Sequence, residues 1–287
     1  MVGKIRKAIS GFYYVEFEEK VYECRAKGIL KKNNITPLVG DWVEFEVLSE
    51  KEGNVLTVVN RNNALIRPPV ANVDKVIIVV SLKIPEPSLL FIDKQLVFLQ
   101  KMNLTPVICL NKTDLEEGKS IWEIYEKIGY RVLFTSAKEK SGIEELKKEI
   151  QGKTAVFVGN SGVGKSSLTN LLINEMRMEE GSLSKIERGK QTTRHSELLK
   201  VCEDTYIIDT PGFSSFELSD IESKELALLF AEFSEYTETC RYDDCTHVGE
   251  TECGVKQAVA EGKMAQSRYE SFVALYQKLK EAENRRY

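Results

Sequence analysis

The chain has 287 residues, 42% hydrophobic and 29% charged, which is enough apolar mass for two or three packed domains and excludes a collagen-like or mainly disordered chain. Forty Lys+Arg against 44 Asp+Glu leave a formal net charge of −4, so nucleic-acid binding through bulk positive charge is excluded and an RNA partner must meet a local basic face. Six cysteines in a chain this long do not make a disulfide scaffold, and the three that cluster near the C-terminus read as metal ligands.

Lys4, Arg6 and Lys7 have no apolar run after them, and no later stretch approaches the roughly 18 uncharged apolar residues of a membrane span. The sequence therefore predicts a cytoplasmic protein, a monomer with no membrane contact. From Val2 to about Arg67 the pattern is short alternating runs: 12–17, 21–24, 41–47 and 55–59, separated by turn signals at Pro37, Gly40-Asp41 and Glu52-Gly53-Asn54. Such alternation in a segment of this size predicts a small antiparallel barrel. Met1–Pro69 holds 11 basic and 9 acidic residues, which makes it the mildly basic part of an otherwise acidic chain.

Arg67-Pro68-Pro69 reads as a linker, because paired prolines resist both helix and central strand. Beyond it come dense apolar runs at 73–82, 106–110, 131–135, 154–159 and 206–209, with helical patterns at 91–102, 120–128 and 142–150 between them. Strands apolar on both faces, alternating with helices, indicate a parallel sheet covered by helices. After Phe213 the strand pattern stops; 223–233 reads as a helix, a Cys/His cluster follows, and 262–286 reads as a longer charged helix whose mixed charges suit a solvated face.

Gly159-Asn160-Ser161-Gly162-Val163-Gly164-Lys165-Ser166 fits the phosphate-loop pattern, with a predicted strand before it and a helical run from Ser167 after it. The glycines let backbone amides approach phosphate oxygens, Lys165 meets the outer phosphates and Ser166 can ligate magnesium. Downstream, Asp209-Thr210-Pro211-Gly212 puts a carboxylate at a strand end, where it can hold the magnesium shell, and a glycine amide beside the terminal phosphate. Taken alone that tetrapeptide is also an ordinary turn.

The base is read by other segments. Asn111-Lys112-Thr113-Asp114 follows a buried strand; Asp114 can accept from guanine N1 and N2, Asn111 can meet the opposite edge and Lys112 can lie along the ring. Thr135-Ser136-Ala137-Lys138, after another strand, can supply an amide to the guanine oxygen. Adenine presents the wrong donor pattern to Asp114, so GTP or GDP with Mg2+ is the expected ligand. These guanine segments precede the phosphate loop in the chain, whereas in most GTPases they follow it. The order is a circular permutation, which a parallel sheet tolerates because it needs strands side by side and not in one succession.

Between the phosphate loop and Asp209, Gly189-Lys190-Gln191-Thr192-Thr193-Arg194-His195 occupies the place of a first switch loop, where Thr193 can complete the magnesium shell; read alone, it is also a polar surface loop. Ras-like enzymes orient water with a Gln after the Asp-x-x-Gly glycine, but Phe213 stands here, leaving Gln191 and His195 as catalytic candidates by placement. Cys240-x4-Cys245-x-His247-x5-Cys253 offers four soft ligands, the set for one structural Zn2+. Cys24, Cys109 and Cys202 sit in apolar or strand contexts and read as buried fillers.

With these motifs the chain resembles the RsgA family, the ribosome small-subunit-dependent GTPases of bacteria, over nearly its whole length. The resemblance implies a multidomain α/β protein: an OB-fold RNA-binding barrel at 1–67, a circularly permuted P-loop GTPase domain at 68–219 and a helical zinc-binding domain at 220–287. It implies GTP hydrolysis stimulated by the small ribosomal subunit during late maturation, with barrel and zinc domain both touching rRNA. Family members typically carry Gly-x-His-Thr-Thr in the first switch, with the His linked to stimulated hydrolysis; here Gln191 occupies that place and His195 follows four residues later. Gln can orient water but cannot act as a near-neutral base. The alternative is an rRNA-binding maturation factor that uses GTP mainly as a structural or sensing ligand.

Overall fold

The computed structural model describes residues 1–65, 68–179, 196–209 and 215–285. The chain opens with β1 (Val2–Ile9), β2 (Phe12–Phe17) and β3 (Lys20–Ala26), passes a short helix α1 (Gly28–Lys32), and continues with β4 (Trp42–Val47) and β5 (Glu52–Val58). Neighbours run β1-β2-β3-β5-β4, and β4 pairs back onto β1 with Gly3 opposite Val43, closing the five strands into a barrel of the OB type. The alternation is physical: Val43 and Phe45 are buried while Trp42 and Glu44 face outward. β1 was not expected, because its inward Gly3 and Ile5 are interleaved with the cations Lys4, Arg6 and Lys7. Two short strands, β6 (Ala64–Leu65) and β7 (Val70–Ala71), pair across the predicted Pro-Pro linker, of which Arg67 lies outside the described residues.

The central region holds β8 (Lys75–Ser81), α2 (Leu89–Lys101), β9 (Pro106–Asn111), α3 (Lys119–Lys127), β10 (Arg131–Thr135), α4 (Ile143–Ile150), β11 (Thr154–Val158), α5 (Lys165–Glu179), β12 (Glu197–Cys202) and β13 (Thr205–Asp209). The order β10-β9-β8-β11-β13 is parallel throughout, and β12 adds antiparallel to β13. Period two sorts the strand residues. Val76, Ile78, Val80, Ile108 and Leu110 join the core that α2 and α3 cover and that runs on into the barrel, whereas Ile77, Val79, Val107 and Cys109 pack under α4 and α5. Ser88 caps α2, its hydroxyl accepting from Phe91 N at 3.2 Å, a contact worth about 1 kcal/mol.

From β8 the chain steps outward to β9 and β10, then returns to β11 on the other side of β8. The β8/β11 boundary is thus a topological switch point, where crevices open outside the carboxyl ends of parallel strands. On the other flank, β12 meets β1 with Lys7 opposite Glu197, so barrel and central region share one hydrogen-bonded sheet of 11 strands.

The C-terminal region is helical but differs from the sequence expectation. The single helix expected at 223–233 is two 3-10 segments, Ser223–Leu229 and Ala231–Phe233, broken at Phe230 (φ −96°, ψ 96°). Phe230 and Phe233 both pack on Phe272, at centroid distances of 5.4 and 4.7 Å. Then come α6 (Ser234–Thr237), an unanticipated α7 (Gly254–Ala260) and the terminal α8 (Gln266–Asn284). Cys24 and Cys109 are buried as expected, but Cys202 is only half-buried. No helix among the described residues is long and apolar enough to cross a membrane.

Candidate nucleotide site and metal centre

Because β9, β10, β11 and β13 are parallel, their carboxyl ends share one edge, and Asn111, Ser136, Gly159 and Asp209 all stand at or just beyond it. Chain order is irrelevant to that edge. The guanine-type and phosphate-type segments are in direct contact: Asn111 Nδ2 donates to the Val163 carbonyl at 2.8 Å and Lys112 Nζ to the Gly162 carbonyl at 2.8 Å. Lys112, at φ +70°, also donates to the Ile84 carbonyl in the loop after β8, a segment the motifs did not single out.

Asn111 is buried and acts as a keystone. Its Oδ1 accepts from Thr135 Oγ1 at 3.2 Å and from the Ala137 amide at 3.3 Å, while its amide group holds the phosphate loop. Gly164 lies against it at φ +101°, where a Cβ would come within 2.3 Å of Asn111 Nδ2. Ser136 Oγ donates to Asp114 Oδ1 at 2.6 Å, and Lys138 Nζ stands 3.6 Å from Asp114 Oδ2. The Ser136 hydrogen bond holds the Asp114 carboxyl below its usual range, so it is an ionised acceptor at neutral pH. Thr135 opens the segment the sequence pointed to but had no role of its own there; in the structure it holds Asn111.

In the phosphate loop, Lys165 Nζ donates to the carbonyls of Gly159 (2.5 Å) and Asn160 (2.9 Å), so the loop curls around its own ammonium. Burial lowers the Lys165 pKa from 10.5. An ammonium that among the described residues meets two loop carbonyls, at the start of a 15-residue helix with Ser166 and Ser167 exposed in its first turn, suits an anion. The residues present therefore fit a magnesium-bound guanine nucleotide. Asp209 closes β13 opposite Glu197. Gln191, Thr193, His195, Gly212 and Phe213 lie outside the described residues.

The second constellation is the cysteine cluster. One ligand atom from each of Cys240, Cys245, His247 and Cys253 lies within 4.8 Å of all the others. His247 Nδ1 is 3.5 Å from Cys240 Sγ and 3.4 Å from Cys253 Sγ, and those sulfurs are 3.9 Å apart. Tetrahedral zinc with bonds of about 2.3 Å to sulfur and 2.0–2.1 Å to nitrogen requires separations of about 3.8 and 3.5 Å, so the donor set fits that ion. Burial pushes the Cys245 thiol up to about 12 and the His247 pKa down, the setting in which a cation is needed to hold thiolates. The Gly254 amide donates to Cys240 Sγ at 3.3 Å, and Tyr269 Oη donates to the His247 carbonyl at 2.9 Å, tying the loop to α7 and α8. A side chain at Gly254 would strike Thr239 Oγ1 at 2.0 Å and the Tyr236 carbonyl at 2.2 Å.

Comparison with known proteins places both constellations in one context. Residues 58–219 match the family model described as RsgA GTPase, and residues 2–55 match the RsgA N-terminal domain. A protein of Alkaliphilus metalliredigens named small ribosomal subunit biogenesis GTPase RsgA is 46% identical, the match covering 99% of each chain. One of the same name from Caldanaerobacter subterraneus is 45% identical over 99% of this chain and 98% of its own. Among solved structures, YjeQ from Thermotoga maritima superposes with a TM-score of 0.82 at 40% identity, covering 97% of this chain and 98% of that one. YloQ, described as a circularly permuted GTPase, gives 0.79 at 39% identity, covering 98% and 95%. An RsgA N-terminal domain followed by a circularly permuted GTPase region is thus shared with known relatives, and the chain belongs to the RsgA GTPase family of GTP-hydrolysing enzymes.

Proposed function

We propose that this GTPase binds the small ribosomal subunit and hydrolyses GTP in a subunit-stimulated manner during late subunit maturation. The observation that carries the nucleotide half is the pair of hydrogen bonds from Asn111 and Lys112 to the Val163 and Gly162 carbonyls, which set base-reading and phosphate-binding segments side by side. In this reading Asp114, Asn111, Lys112, Ser136 and Ala137 hold guanine. Residues 159–167 wrap the phosphates, Lys165 exchanging a loop carbonyl for a phosphate oxygen. Ser166, Thr193 and Asp209 hold Mg2+ directly or through water, and Gly212 contacts the terminal phosphate. When bound, Mg2+ neutralises charge developing between the phosphates. Gln191 and His195 are the candidates for placing the attacking water. The subunit half is supported by the names of the relatives, and the barrel, the mildly basic part, is the proposed rRNA contact.

Units 1–67, 68–219 and 220–287 then act as barrel, engine and zinc-stabilised helical module in a cytoplasmic monomer. Cys240, Cys245, His247 and Cys253 hold one structural Zn2+, and Cys245→Ser loses that metal and loosens the C-terminal region while the central sheet keeps its own core; metal analysis with proteolysis checks it. GTP turnover titrated with purified small subunits tests the function, and a rate unchanged by subunits refutes it in favour of a maturation factor that uses GTP only as a sensed ligand. Lys165→Ala abolishes nucleotide binding, and Asp114→Asn lowers the GTP preference about a hundredfold. Parent-like GTP affinity in either variant refutes the site.

A further inference from the structure

Two of the four proposed zinc ligands, Cys245 and His247, are separated by a single residue. Along an extended strand such residues share a face but stand about 7 Å apart, whereas the four donor atoms here lie within 4.8 Å of one another. The chain closes that gap by turning sharply at His247, which sits at φ +61°. A residue other than glycine keeps this left-handed conformation only where its surroundings over-determine it. Glu250, three residues further on, supplies the restraint. The Thr246 amide donates to Glu250 Oε1 at 2.9 Å, and the Thr246 hydroxyl stands 2.9 Å from Oε1 and 3.1 Å from Oε2. The same hydroxyl oxygen accepts from the Val248 amide at 3.4 Å. One carboxylate thus pins, by backbone and by side chain, the residue that stands between the two ligands. Lys256 of α7 locks the other side of the loop, its Nζ donating to the Val248 carbonyl at 2.7 Å and to the Glu250 carbonyl at 2.8 Å. These hydrogen bonds use no sulfur and no imidazole nitrogen, so they leave the four donor atoms to the ion.

We infer that Glu250 is a positioning residue of the metal centre: its carboxylate sets the Cys245 and His247 pair in place before the ion arrives, and so raises zinc affinity and slows zinc release. The inference rests on the reading of Cys240, Cys245, His247 and Cys253 as a zinc site, and adds to it a group that is not itself a ligand. The physical ground is that a metal site absent from the disordered loop must be ordered by the ion, and the ordering cost is subtracted from the affinity. A loop already held by Glu250 and Lys256 spares most of that cost. Outer partners of this kind are worth about ten- to a hundredfold in metal affinity.

The test is zinc transfer from the purified full-length protein to a chromogenic chelator, read both as an equilibrium and as a rate, beside the visible spectrum of the cobalt-substituted protein. Glu250→Ala is expected to weaken zinc binding by about ten- to a hundredfold and to speed its release. Its cobalt spectrum keeps the intensity of a four-coordinate site, because all four ligands are still present. Glu250→Gln retains an acceptor for the Thr246 amide and recovers most of the loss. Glu261→Ala removes the same charge from the same module, at a residue paired with Lys263, and stays within about twofold of the parent. Where Glu250→Ala does not fold, Thr246→Val takes its place; it removes the hydroxyl from the brace and speeds release to a smaller degree. Parent-like affinity and release in Glu250→Ala, or in Thr246→Val as its substitute, overturns the inference, as does an equal loss in Glu261→Ala. Loss of metal in Cys245→Ser would then still uphold the zinc reading, whereas a parent that takes up no zinc overturns both.

Discussion

The central sheet meets its two neighbours in opposite ways. Toward the barrel, the contact is a strand edge held by cations: one ladder pair between Lys7 and Glu197, Arg6 Nε donating to the Leu198 carbonyl at 2.6 Å, and Lys4 Nζ donating to Thr154 Oγ1 at 3.1 Å from a place 4.0 Å over the Tyr206 ring. Toward the helical module, the contact is a packed face. Val97 of α2 joins the helical module's apolar core, and buried Arg268 bonds Asp93 at 2.6 Å and Glu232 at 2.7 and 3.0 Å, with Tyr125 Oη on Asp93 at 2.7 Å. A packed face with a buried ionic cluster fixes one geometry, since any displacement strands a charge. The barrel side shares one apolar core with the central sheet, and its edge cations Lys4 and Arg6 meet a hydroxyl and a carbonyl there, so losing one of them costs less. The rigid, ionic junction joins α2 to the helical module; the strand edge grips β12, which follows the predicted first switch loop in the chain.

The sharpest way to break this contrast is Arg268→Ala, which leaves Asp93 and Glu232 buried without their cation and costs about 3–5 kcal/mol. Urea denaturation followed by fluorescence should show a loss of that order, with the barrel strands still protected in hydrogen exchange; a loss below 1 kcal/mol, about the value of a surface pair, would mean the junction is not rigid. Phe216→Ala removes the ring stacked on Phe98 of α2 at 4.2 Å and costs about 3 kcal/mol, read in the same assay. Arg6→Ala is milder, about 1–2 kcal/mol, because it removes hydrogen bonds from a half-exposed site. Its signature is local: faster amide exchange in 197–202, with α2 and α8 unchanged.

The smallest effect is a pH dependence at Lys4. Burial lowers its pKa from 10.5, outweighing the attraction of Asp74, Asp204 and Glu16. The unfolded chain therefore binds more protons than the folded one between the lowered value and 10.5, and stability from this group rises with pH through that window. The stability difference between parent and Lys4→Met should shift in favour of the parent from neutral pH toward about pH 10. A shift in the other direction would show that the carboxylates outweigh burial.

The same contrast explains what could be read early. The barrel strands from β2 onward follow from alternation, except that Glu52-Gly53-Asn54, read as a turn, opens β5, where Gly53 lets the neighbouring strand approach closely; the parallel strands follow from double-sided apolar runs. β1 and β12 escaped because their side chains serve a partner from another module: in β1 the cations interrupt the apolar rhythm, and only the juxtaposed β12 gives Lys7 and Arg6 something to bind. The helix expected at 223–233 is broken because Phe230 takes an extended backbone (φ −96°, ψ 96°), which no residue pattern in that stretch signals.

By itself the sequence determined which chemistries the chain carries: a phosphate loop, guanine-reading segments in permuted order and four soft metal ligands, because each needs particular residue types at short spacing. Tertiary structure alone decided that Asn111 is the keystone between base and phosphate segments and that Arg268 finds Asp93 across 175 positions. Those are contacts between distant stretches, fixed by how a parallel sheet gathers its strand ends and how helices close over its faces, and no local pattern encodes them.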